Sequence, residues 1–398
     1  MAQNVDRLKD VMPDILSRLP VKSLRRLACI NKSWYRLIKS PDFISKHLHT
    51  FNNHMKSTDP INLLVKRTRR APFGPYGDDR EASVSLLSFN RANSSAVLNL
   101  LDLIYNHDEV NHIEILGPCN GLYCLFSSTS MIVNPSMREF RILPDTPAPP
   151  DTHSKMEHVG FGFDPETNDY KVVTIMDTWR NETDEQLPWR VEMYSLNSHS
   201  WRNVDCPLPP LSIRNCSWID AFVRGAFHWW AYDAAGDLIL AFDMVNETFQ
   251  TFRVPNARFS TREYAGTVAK FRESLTVIVY PRRGTEKGFD LWMMKDYGNK
   301  GSWTKHANIG PIVGARRPLG FLEEKNLFLV EDNDGRMMIY DLQTEEIIHT
   351  GFHGEEDSLQ AVVYMESLIS VRRDNENPQA GASFFGMIPD PLFEGNPG

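Results

Sequence analysis

The spacing of apolar residues changes once along the chain: it is helical between residues 8 and 50 and strand-like from about residue 60 onward. In residues 8–43, LKDVMPDILSRLPVKSLRRLACINKSWYRLIKSPDF, the side chains Val11, Ile15 and Leu16 fit one helical face. Leu19-Pro20 then breaks the run, and Val21, Leu24, Leu27 and Ile30 restart it. Asn31 is placed to cap a third helix that buries Trp34, Leu37 and Ile38. Ser40 followed by Pro41 signals the cap and first position of a fourth, carrying Phe43, Ile44 and Leu48. Isolated helices below about 12 to 15 residues are marginal in water, and chains below about 40 residues rarely hold a core alone. The pattern predicts a small all-α module of three to four short helices, residues 1–50, that needs a partner or neighbouring domain.

After a polar linker, residues 51–60, short β-branched and aromatic runs alternate with turn clusters, an all-β pattern. One unit recurs: a strand ending in Asp, Asn or Ser, a polar turn, and a bulky residue opening the next strand. Copies run from Asn134 to Phe140, Ser195 to Trp201, Asp243 to Phe249 and Asp341 to Ile347, with a looser copy from Leu291-Trp292 to Trp303. Propeller blades of four strands repeat at about 40 to 50 residues plus insertions, which this spacing suits. Two further strands precede each hairpin, giving five blades. The sixth is expected from both ends of residues 61–373: 61–65 and 84–89 joined to 360–364 and 368–371. Such closure removes exposed sheet edges. Residues 374–398 read as a flexible tail.

The helical segment resembles the F-box in its plant form. The resemblance rests on LSRLPVKSL (16–24), Lys32-Ser33-Trp34 and the Leu-Ile-x-Ser-Pro-x-Phe element at 37–43. It implies binding to the Skp adaptor of a cullin-RING ubiquitin ligase, through Ile15, Leu16, Leu19, Pro20, Val21, Leu24 and Trp34. Arg7-Leu8 stands where family members carry a Leu-Pro pair, and Pro13 stands where a helix former is usual. Residues 59–373 resemble the F-box-associated domain of plants, on Gly117-Pro118-Cys119-Asn120-Gly121-Leu122, Asn134-Pro135, Gly160-Phe161-Gly162-Phe163-Asp164, Asp169-Tyr170-Lys171-Val172-Val173 and Ser302-Trp303-Thr304-Lys305. No adjacent glycine pair of the kelch kind is present. Within the family, the shape is similar to S-locus F-box receptors of pollen recognition and to related defence proteins.

Charge and cysteines narrow the class. Residues 1–50 carry 10 Lys/Arg and 4 Asp/Glu, a net +6, leaving −14 on the remainder. An acidic bulk argues against nucleic acid as a partner, since phosphate binding needs a clustered basic face. The one basic run, 66–70, leads into a Pro/Gly-rich stretch and reads as a solvated loop. No signal-like or membrane-spanning run occurs, and five cysteines lack C-x-x-C spacing, so a cytoplasmic or nuclear protein with reduced thiols is expected.

Catalytic signatures are missing from the sequence. There is no G-x-S-x-G and no phosphate-binding G-x-x-x-x-G-K-[ST]. Gly160-Phe161-Gly162 fits a buried strand better than a pyrophosphate turn. His349 and His353 have the spacing of a helical metal pair but fall in an expected turn. Neither cofactor nor metal is expected, and the chain reads as a non-catalytic receptor subunit. Consecutive Trp229 and Trp230 point to opposite sheet faces and read as inter-blade core. For target contact the first choice is Trp179 and Arg180 in a polar insertion, 177–188, because recognition residues collect on loops of rigid scaffolds. Arg282-Arg283 and Arg316-Arg317, expected in other inter-strand loops, are further candidates facing an acidic partner. Three alternatives remain beside the ligase receptor: a Skp-bound protein that degrades nothing, a propeller that captures a glycan or small ligand, and a propeller enzyme.

Overall fold

The structure, a computed structural model, describes residues 11–53, 61–70, 80–90, 93–99, 113–127, 129–146, 150–214, 219, 221–255 and 263–372. Four helices come first: α1 (11–16), α2 (Val21–Ala28), α3 (Lys32–Ile38) and α4 (Pro41–Asn53). Helix α4 thus extends into the expected linker.

Six antiparallel sheets follow. In chain order, blade one is Glu114–Cys119, Leu122–Phe126, Met131–Asn134 and Glu139–Ile142; blade two is Thr152–Asp164, Asp169–Arg180, Gln186–Ser195 and Ser200–Asn203. Blade three has a divided first strand, Ser212–Ile213 and Phe222–Val223, then Ala226–Asp233, Gly236–Asp243 and Thr248–Arg253. Blade four is Tyr264–Phe271, Ser274–Pro281, Glu286–Met294 and Trp303–Val313; blade five is Ala315–Leu322, Leu327–Asp332, Arg336–Asp341 and Ile347–His353. Blade six joins Gln360–Val363 to Ile61–Arg70, Arg80–Asn90 and Asn93–Asn99, with Val363 opposite Leu63 and Gln360 opposite Lys66. First strands of blades five, six, one and two touch in turn, so these strands line the axis.

The recurring sequence unit is the third-to-fourth-strand hairpin of blades one to five, and its chemistry is visible. The strand-ending side chain closes the turn by accepting backbone N–H groups: Asp243 takes Val245 and Asn246, Asp341 takes Gln343 and Thr344, Asn134 takes Met137, and Ser195 takes Ser198. Four residues after each anchor the chain turns left-handed, at Arg138, His199, Glu247 and Glu345. The bulky residue then reaches back to the previous blade: Trp201 Nε1 donates to the Pro144 carbonyl just past blade one (2.6 Å) and Trp303 Nε1 to that of Arg253 at the end of blade three (3.0 Å).

The core lies between blades. Trp229 donates to the Val159 carbonyl of blade two (3.1 Å), while Trp230 packs toward blade four, where a Cβ on Gly266 would stand 2.3 Å from its ring. Gly160 is likewise pressed against Phe227 and Trp229, the close approach expected of a buried strand. Lys171 Nζ ties blade two to blade three through Asp164 (2.6 Å) and the Met244 carbonyl (2.9 Å).

Three expectations need correction. Residues 368–371 do not form a blade strand. Their backbone is claimed by side chains, with Asn134 donating to the Ser367 and Ile369 carbonyls, Arg141 to that of Val371, and Val371 N–H bonding Glu139. Asn93–Asn99 closes blade six instead, a polar run that an outermost strand tolerates because only one edge is paired. The basic run is strand, not solvated loop: Lys66, Arg67 and Thr68 are buried, and Arg67 lies over Phe352 (4.4 Å). His349 and His353 sit on the strand Ile347–His353, which at about 3.3 Å per residue separates them well beyond shared metal ligation.

Alternating strands sort the turns into two ends. Turns after first and third strands share one end with residues 135–138 and the exit of Gln360–Val363; turns after second strands, and the connections between blades, share the other. We call these ends proximal and distal.

Candidate functional site

The helical module caps the proximal end of blade one. Leu16, Val21, Leu24, Ile38 and Phe43 form its core, and Met137 and Leu368 of the propeller complete it. Helix α2 begins after Pro20, which offers no side-chain cap; the Glu366 carboxylate takes that place, accepting from Val21 N–H at 2.6 Å. Residues 364–371 are therefore a strap, anchored on blade one by Asn134, Glu139 and Arg141 and inserted into the helical core by Leu368. Asn31 caps α3 by accepting from Ser33 and Trp34 N–H, both at 2.9 Å, and Ser40 Oγ accepts from Phe43 N–H, as the sequence led one to expect. His47 is buried with Nε2 donating to the Leu19 carbonyl (2.9 Å); burial lowers its pKa.

The seven expected adaptor contacts divide. Leu16, Val21 and Leu24 are at most 3% exposed and belong to the module's own core. Ile15 and Pro20 are exposed; Leu19 and Trp34 are half-buried. Val11 and Ile15, one turn apart on α1, and Ile30 and Tyr35, around the α2–α3 corner, are between 50% and 66% exposed. The expected face of Val11, Ile15 and Leu16 is thus two: Leu16 lies about 100° round the helix from Ile15 and takes the inward side. Ile30 and Tyr35 were not among the expected contacts: Ile30 continues the spacing of Val21, Leu24 and Leu27, and that spacing does not show that it lies beyond the end of α2 and faces out.

The target-contact candidates all fall at the distal end, away from the helical module. The insertion at 177–188 is mostly strand, a lengthened hairpin with its turn at 181–185. Trp179 stacks on His153 (5.5 Å, 14°), and Arg180 pairs with Glu185 (3.3 Å). Arg282 and Arg283 are exposed in a turn, as expected. Arg316 and Arg317 are not in a loop: both lie on the strand Ala315–Leu322 and are consumed internally. Arg316 holds Asp357 through two bonds (2.7 and 2.6 Å). Arg317, buried, holds Glu331 (2.6 Å) and the Leu359 carbonyl (2.5 Å). They brace blades five and six and offer little to a partner.

At the proximal end a recess of about 380 Å³ opens near the axis, floored by Ile219, Leu319, Leu329 and Val362 and rimmed by Lys270 and Glu273, which pair at 2.7 Å. No group of metal-ligating side chains occurs among the described residues, and no described helix is long and apolar enough to cross a membrane.

Comparison with known proteins agrees with this geometry. The family described as F-box associated beta propeller domain matches residues 79–371, and the F-box domain matches residues 9–46. The F-box protein CPR1 of Arabidopsis thaliana is 26% identical over 393 residues, covering 90% of this chain and 88% of its own. An F-box/kelch-repeat protein of the same plant is 23% identical over 370 residues, covering 91% and 94%. Among solved structures, the Dos1 propeller covers 73% of this chain and 75% of its own at 11% identity and a TM-score of 0.35.

Proposed function

Because the chain belongs to the F-box proteins that carry an F-box associated beta propeller domain, we propose that it is the substrate receptor of a cullin-RING ubiquitin ligase. A Skp-type adaptor binds the helical module, cullin and RING subunits follow through that adaptor, and the propeller presents a protein target. One observation carries the reading: Val11, Ile15, Ile30 and Tyr35 leave apolar surface uncovered on a module whose inward side is already filled by its own leucines and by the propeller. Exposed apolar side chains grouped on a small module mark a protein-binding surface.

The receptor supplies geometry and leaves ubiquitin chemistry to the conjugating enzyme. Since Leu368 and Met137 belong to the helical core, module and propeller share packing, and adaptor and target stand at a set separation. That raises the effective concentration of target lysines at the enzyme. Its compartment is cytoplasm or nucleus, in keeping with Cys29, Cys124 and Cys206, which form no disulfide. Pollen recognition or defence is the finer part of the proposal and rests on the family resemblance.

The test is co-purification of the chain with a plant Skp, cullin and RING subunit, followed by ubiquitin transfer to a captured target whose cellular level rises on proteasome inhibition. Absence of Skp from the purified chain would overturn the reading; a stable Skp complex with no change in target level would leave a non-degradative binding protein. A second reading, a receptor for a small ligand, is favoured by the axial recess, whose volume lies within the range of small-molecule sites.

A further inference from the structure

Exposed large apolar side chains among the described residues gather in two places. Four lie on the helical module. Tyr232 and Tyr264 lie at the distal seam of blades three and four and Val313 at the distal end of blade four's outermost strand, leaving Ile142 apart. Trp230 and Gly266 meet across the seam of these blades, and two residues further toward the distal end each strand carries a tyrosine, both 41% exposed. The turn 282–285 stands beside them. Arg282 Nε donates to the Tyr264 carbonyl (2.9 Å), and Gly314 N–H, next to Val313, donates to that of Thr285 (2.7 Å).

The charges differ from those elsewhere on this end. Arg180, Arg253, Arg316 and Arg317 are each paired with a carboxylate. Arg214, over the Tyr232 ring at 5.2 Å, is paired with Asp237 (3.4 Å). Among the described residues, neither Arg282 nor Arg283 has a carboxylate partner, although exposed acids flank them: Glu263, whose carbonyl accepts from Arg282 N–H (2.8 Å), and Glu286, opposite Val313. On a chain that carries −14 outside residues 1–50, two guanidinium groups without a carboxylate partner stand beside two tyrosines that are each 41% exposed, and together they form a basic and aromatic surface.

We propose that this rim, built on Tyr232, Tyr264, Val313 and the Arg282-Arg283 turn, takes an acidic, partly apolar segment of the protein target. The inference rests on the receptor reading above and supplies its substrate class. Guanidinium forks pair with carboxylates, while tyrosines and Val313 cover interleaved apolar side chains. Placement at the end opposite the helical module leaves both surfaces accessible at once.

The experiment uses the full chain co-purified with its Skp adaptor and a fluorescein-labelled decapeptide alternating glutamate with leucine, read by anisotropy. A lysine–leucine decapeptide is the control. The acidic peptide binds and the basic one does not, with affinity falling as salt rises from about 50 to about 500 mM. Arg282→Glu with Arg283→Glu weakens binding by about tenfold or more, and so does Tyr232→Ala with Tyr264→Ala, whereas Arg180→Glu changes nothing. No binding of the acidic peptide, or equal binding by the arginine double variant, overturns the proposal. Skp co-purification separates the two failures: a chain that keeps Skp but ignores the peptide retains the receptor reading and loses this surface, whereas a wild-type chain without Skp loses both.

Discussion

Val21 N–H and the Glu366 carboxylate meet at 2.6 Å across 345 residues of sequence. The bond caps the first turn of α2 from the far end of the chain and, with Leu368 two residues on, makes the helical module part of the propeller's packing. The helical module and the propeller are therefore joined by folded structure.

The strap should be needed for the adaptor surface. Leu368→Ala removes a side chain shared by both cores and is expected to cost about 2 to 5 kcal/mol, concentrated in the helical module. Glu366→Ala should cost about 1 kcal/mol as a lost cap. Limited proteolysis within residues 11–53 and Skp pull-down are the measurements. Unchanged protease resistance of the helices in Leu368→Ala would count against the shared core.

Surface and core positions of the module should respond differently. Val11→Asp with Ile15→Asp should abolish Skp binding while leaving thermal unfolding where it was, because both side chains already face water. Leu24→Ala should lower stability by about 2 to 5 kcal/mol and lose Skp through unfolding of the module. Leu19→Ala with Pro20→Ala should weaken binding with little change in propeller unfolding. Calorimetry beside pull-down tells the cases apart, and full Skp binding by the Val11/Ile15 double variant would place the contact elsewhere.

The blade three–four seam should resist even one added methyl. Gly266→Ala puts a Cβ against the Trp230 ring and is expected to destabilise by about 1 to 3 kcal/mol. Trp230→Phe, by shortening the ring, should relieve part of that loss, so the double variant is more stable than the summed single effects allow. Additive losses in denaturant titration would show that the seam yields without involving Trp230.

Acid should weaken the propeller through His228. The ring is buried, and burial lowers its pKa to about 4 against the opposing Ala221 and Ala226 carbonyls. Nδ1 donates to Ala221 O (2.8 Å), and Nε2 accepts from the Tyr297 hydroxyl (2.9 Å). The native pKa lies below the unfolded value of about 6.5, so the unfolded chain binds more protons between the two. The contribution is whole above about pH 6.5 and is lost as pH falls toward 4, up to about 3 kcal/mol. Denaturant midpoints at about pH 7 and pH 4.5 should converge in His228→Gln relative to wild type. Parallel pH profiles for the two proteins would sink the assignment.

What the sequence determined by itself was periodic or local. Helical spacing and the Asn31 and Ser40 caps set the four helices, because a cap acts within three residues of its own position. The Asp, Asn or Ser anchor, polar turn and following bulky residue set the hairpins, since such a turn closes on its own backbone. The pairing of Gln360–Val363 with Leu63–Lys66 was also legible, because leftover strands at both ends of the β region had no other partner.

Tertiary structure decided which apolar and charged side chains remain for a partner. Leu16 and Ile15 are neighbours of equal hydrophobicity, yet one fills a core completed by Met137 and Leu368 while the other faces solvent. Arg282-Arg283 and Arg316-Arg317 read alike as pairs, yet only the second meets carboxylates, the buried Glu331 and the exposed Asp357, supplied from other segments. Burial and charge pairing depend on residues distant in sequence, and no local period records which distant surface a side chain will meet.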